Sequence, residues 1–142
     1  WELLDQVLLD GPDGWLSLAD DERSAAAQAV TLLGGGDVGV AAVSKVLALL
    51  YPQTMCLMDD HALVYLGLSH EFPPGEEKGT AGPSFFAPAL DAFSAAVVAN
   101  RDALTALASA HAEAVLDATQ ALDRLLWVAS YGERFFRAAT AR

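Results

Sequence analysis

Three consecutive glycines, Gly34 to Gly36, stand directly before an apolar run that Pro52 cuts short. A glycine triplet permits a tight turn that most residues resist. Asp37 is a suitable N-cap behind it. The sequence therefore predicts a turn, then a helix from Val38 to about Tyr51, stopped because the residue before a proline is pushed out of the helical region. Gln53 to Met58 reads as a short connection. Asp59 or Asp60 caps a further helix that reaches about Leu68. The strongest constraint on this chain is thus helix, turn, helix, break, helix.

The remainder agrees with it. Hydrophobic residues make up 54% of the 142 residues, and much of that share is alanine, a strong helix former and a weak strand former. The expectation is an all-α fold, a single compact domain over 1–142 of about six to seven helices. Trp1, Leu4 and Leu8 share one helical face. Asp10 to Gly14, DGPDG, is expected to end that helix as a turn. Ser17 and Asp20 form a weak capping box for a helix to about Leu33, with Gly34 as its C-cap. Residues 70–83 form one long loop rich in proline and glycine, a length often tied to function. Helix resumes near Phe85, with breaks at Asn100 and His111. Gly132 is expected to end the helix that bears Leu126, leaving Glu133 to Thr140 as a short terminal helix. The tryptophans Trp1, Trp15 and Trp127 and the phenylalanines Phe85, Phe86, Phe135 and Phe136 read most simply as core anchors, or in part as a partner-binding patch.

Charge narrows the function classes. The net charge is −11, and residues 1–71 hold 11 acids against Arg23 and Lys45 alone, while residues 72–142 hold 8 acids against 6 bases. Binding to duplex nucleic acid or to an anionic membrane needs a basic face, and only Arg124, Arg134, Arg137 and Arg142 could offer a small one. A basic protein partner is compatible with this balance, as is a homo-oligomer. No apolar stretch is long enough to span a bilayer. The single cysteine, Cys56, cannot form an internal disulfide, which makes a reducing, cytoplasmic setting the expectation.

Chemistry-bearing residues are few. Cys56 lies between Met55 and Leu57 and reads as a buried, inert thiol. No Gly-x-Ser-x-Gly elbow is present, and the GGGDVG run is neither a P-loop nor a dinucleotide fingerprint. Asp59, Asp60, His61, His70 and Glu71 include carboxylate and imidazole groups, but no His-x-x-x-His pair shares a helix face, so no metal and no cofactor is expected. Lys45 interrupts an apolar helix. It reads either as a snorkelling side chain or as a lysine paired with Asp59 or Asp60.

Gly36, Asp37, Val38 and Gly39, followed by the helix from Val40 to Leu50 and then by Met58, Asp59, Asp60 and His61, resemble the core of the helix-hairpin-helix DNA glycosylase superfamily. The segment from Leu122 to Trp127, LDRLLW, is similar to the closing helix of small proteins related to that fold. The resemblance implies a helix-hairpin-helix core, with Asp59 at the position of the family's carboxylate. The family's lysine position is Ala41 here, and Lys45 stands about one turn further on. Three readings follow. The first is a non-enzymatic, cytoplasmic protein-interaction domain, binding through the acidic N-terminal half or the aromatic C-terminal helices. The second is an enzyme that hydrolyses an N-glycosidic bond of a base, nucleoside or nucleotide, with Lys45, Asp59 and Asp60 as catalytic residues. A third is a small-ligand domain in which His61 and His70 contact the ligand near the 70–83 loop.

Overall fold

The computed structural model describes residues 2–34, 40–68, 86–110 and 117–140. Among these the regular secondary structure is all helix, in eight helices. They are α1 (Glu2–Leu9), α2 (Gly11–Ser17), α3 (Asp20–Gly34), α4 (Val40–Leu50), α5 (Asp60–Tyr65), α6 (Phe86–Ala99), α7 (Arg101–Ala110) and α8 (Ala118–Thr140). The glycine turn at 35–39 and the long loop at 70–83, with His70 in it, lie outside the described residues.

The first departure from the sequence reading is α2. DGPDG is not merely a turn; it opens a helix of its own. Gly11 takes a φ of 75°, which reverses the chain out of α1. Pro12 then presets a helical φ in the first turn, where its missing N–H has no partner to lose. Trp15, three residues on, is fully buried and fixes the new helix to the core. Its indole N–H donates to Asp91 Oδ1 of α6 at 2.7 Å, and its ring meets Phe86 edge-on at 6.3 Å.

Side chains mark most of the helix ends. Glu22 accepts from the Ala19 N–H at 2.9 Å, so α3 carries the return half of a capping box, from Glu22 to Ala19 rather than between Ser17 and Asp20. Ser17 instead donates to the Gly14 carbonyl. Asn100 ends α6 and starts α7: its N–H and side chain both donate to the Ala96 carbonyl, while its own carbonyl accepts from Leu104 N. Asp117 and Gln120 form a reciprocal box at the start of α8. α5 closes in a Schellman turn, with Gly67 at φ 81° and the Leu68 N–H reaching back to the Leu63 carbonyl. α8 itself runs on through Gly132 to Thr140 as one helix of 23 residues. The expected stop at Gly132 and the separate terminal helix are therefore absent.

The core draws on nearly every element. Leu8, Trp15, Leu63, Phe86, Leu90 and Phe93 are all essentially solvent-free. α2 and α3 pack on α6, α3 also on α4, and α8 covers α5, α6 and α7. Leu104, Ala108 and Ala121 form a smaller cluster between α7 and α8, joined to the main core through Ala118 and Leu122. No helix among the described residues is long and apolar enough to cross a membrane.

Candidate functional site

The connection between α4 and α5 is short in sequence and runs through the interior. Thr54, Met55, Cys56 and Met58 are all buried. Irregular backbone is rarely buried, because its polar groups have no ladder to satisfy them. Here side chains from distant elements take that role. Ser44 of α4 accepts from the Met58 N–H at 3.0 Å and donates to the Ala41 carbonyl. Thr54 donates to the Leu8 carbonyl at the end of α1. Thr119 of α8 donates to the Gln53 carbonyl at 2.7 Å. Asp123 of α8 accepts from the Leu57 N–H at 2.9 Å.

Beside that last contact lies a cleft lined by Leu57, Asp59, Ala62, Asp123, Leu126 and Trp127. Asp59 is the N-cap of α5, accepting from the Ala62 N–H at 2.9 Å. Two carboxylates therefore border one small space. Burial pushes the Asp123 carboxyl up from its ordinary value, the Leu57 N–H pulls it back, the Asp59 charge raises it again and Arg124 opposes. Burial also drives the Cys56 thiol well above its usual range, and Asp123 and Asp59 add to that. The cleft measures about 30 Å³, room for water and far below the roughly 150 Å³ of an enclosed cavity that holds benzene.

Of the residues singled out in the sequence, Asp59 lines this cleft. Lys45 does not; it is exposed on α4, opposite the buried stripe of Val43, Ser44 and Leu47. Asp60 and His61 begin α5, and their side chains lie outside the description, as does all of His70. Among the described residues no three His, Cys, Asp or Glu gather as a metal site would need. Sequence reasoning assigned no role to Asp123 in a site. Its signal is positional: it continues the inward stripe of Thr119 and Leu126 at helical spacing, where a carboxylate is out of place. Trp127, read from the sequence as a core anchor or as part of a partner-binding patch, is half exposed and walls the cleft.

A second feature is the outer face of α4. Val46 is 57% exposed, Leu49 84% and Leu50 63%. With Ala42 and Lys45 they follow the i, i+3, i+4, i+7 spacing of one helix face. A further exposed apolar group, Val64 and Tyr65 with Leu125, Trp127 and Val128, lies on α5 and α8.

Comparison of the chain with known protein families, with curated proteins and with solved structures found no match.

Proposed function

We propose that this chain is a protein-interaction domain, built on a degenerate helix-hairpin-helix scaffold, that binds its partner through the outer face of α4. The observation that carries this reading is the exposed trio of Val46, Leu49 and Leu50 on one helix face. Single exposed apolar residues are ordinary, but a contiguous group on one helix is the kind of surface that a partner covers. The scaffold part is supported by the order α3, α4, buried connection and Asp59-capped α5, together with Asp123 in the closing helix.

The catalytic reading asks for Lys45 beside an aspartate in a pocket the size of a base. Lys45 is exposed, and the cleft at Asp59 is of water size. A binding surface accounts for more of what is present.

The test is site-specific photo-crosslinking in the native host. A crosslinking side chain at Leu49 is expected to capture one dominant protein, whereas the same group at the exposed Ala106 of α7 is not. Equal or diffuse capture from both positions would sink the proposal.

A further inference from the structure

We infer that the cleft between α5 and α8 is a socket for a lysine side chain carried by a partner protein, with the ammonium at Asp59 and Asp123 and the methylene stem against Leu126 and Trp127. This is a second surface, and it does not depend on the reading of α4.

Size comes first. The cleft measures about 30 Å³. An ammonium is compact and close to water in size, whereas a guanidinium is a flat, wider fork of donors. The space therefore takes the head of a lysine and leaves that of an arginine outside.

The lining supplies what that head and its stem require. Both carboxylates border the cleft, and Leu57, Ala62, Leu126 and Trp127 complete its walls. An ammonium has three donors and no acceptor. Oδ1 of Asp123 accepts from the Leu57 N–H, and among the described residues no hydrogen bond reaches Oδ2. A lysine lays its stem along apolar walls while its charge stays on polar groups, and an indole ring adds cation–π attraction.

The two carboxylates also work against each other. Burial raises the Asp123 carboxyl and the charge of Asp59 raises it further, while Arg124 opposes from an exposed position. A cation seated beside both removes that repulsion, because an opposite charge at close range favours each ionised form.

The mouth says why the amine comes on a protein. Tyr65 stands one turn beyond Ala62 on α5. Its hydroxyl donates at 3.1 Å to the carbonyl of Ala129, one turn beyond Leu126 on α8. Tyr65 is 41% exposed and Trp127 52%. Tyrosine and tryptophan are the residues that most often anchor a protein interface. A free amine filling the cleft would leave them uncovered; the backbone and neighbours of a partner's lysine cover them.

The experiment titrates the whole ¹⁵N-labelled chain with a capped pentapeptide, Ala-Val-Lys-Val-Ala. Versions with arginine or norleucine in the middle, and n-butylammonium alone, are titrated beside it. The readouts are the Leu57 amide and the Trp127 indole N–H. The lysine peptide is expected to move both signals saturably, and the norleucine peptide neither. The arginine peptide and n-butylammonium are expected to bind about tenfold more weakly or worse. Asp123→Asn, which keeps an acceptor for Leu57, is expected to weaken the lysine peptide by about tenfold, and Trp127→Leu by about threefold. If the lysine and arginine peptides bind alike, the cleft attracts cations without selecting lysine and the inference is overturned. If n-butylammonium binds as tightly as the peptide, the occupant is a free amine and the protein partner is overturned. If the peptide binds both variants as it binds wild type, it sits elsewhere and the socket is overturned. Unmoved Leu57 and Trp127 signals at saturating lysine peptide overturn it outright.

Discussion

Asp123 reaches across 66 positions of chain to accept the Leu57 N–H. Its carboxyl is raised by burial and by Asp59, so the folded chain holds this proton more tightly than the unfolded chain does. Protonation therefore favours the fold. The contribution is fully present below the unfolded value of about 3.9 and is lost as pH rises through the higher folded value. Asp123→Asn keeps an acceptor for Leu57 and removes the charge. Thermal unfolding of the two proteins from pH 7 down to pH 4 should show wild type gaining on Asp123→Asn as pH falls, with carboxylates common to both cancelling. Parallel curves would refute the assignment. Cys56 gives a second expectation. A thiol that is fully buried and raised well above its usual range is a poor nucleophile. A thiol reagent such as DTNB should react with it only as fast as the native protein opens, and at once in denaturant.

At the level of elements, the sequence revealed helices better than the joins between them. The apolar spacing that marks α4 and α6 is local, and so are the Asp59 cap and the Asn100 break, so each could be read from a few neighbouring residues. α2 was hidden because proline and glycine serve helix starts as well as turns, and only the burial of Trp15 against Phe86 decides between them. Gly132 misled for the opposite reason: a glycine inside a helix costs only about 0.5–1 kcal/mol, too little to stop a helix. The candidate cleft was half legible. The sequence offered Asp59 or Asp60 as the cap and the structure shows Asp59 capping, whereas Asp123 joins it only through tertiary packing. Two substitutions follow from these elements. Gly132→Ala meets nothing within 4 Å in α8, and should raise stability by about 0.5–1 kcal/mol in chemical denaturation. Ser44→Ala removes the acceptor of the buried Met58 N–H, and should cost about 1–3 kcal/mol in the same assay. A neutral Ser44→Ala would mean that the Ser44 contact adds nothing to the hold of Thr119, Asp123 and the apolar residues on the connection.

Across the whole molecule, the buried connection has a consequence for how the chain assembles. Its polar groups are met by Leu8, Ser44, Thr119 and Asp123, which come from the beginning, the middle and the end of the sequence. No fragment lacking α1 or α8 can satisfy that segment, so it cannot form early and wait. Contacts so distant in sequence make folding slower than is usual for a helical chain of this size, because the long loops must close before the contacts reward them. The amides of Leu57 and Met58 should then exchange with deuterium only when the entire domain opens, at the slowest rate in the protein. Fast exchange there, with the middle of α6 still protected, would show the connection opening by itself. The segment joining α4 to α5 is in this sense a keystone: the last part of the chain to be set in place, and the part whose release undoes both ends at once.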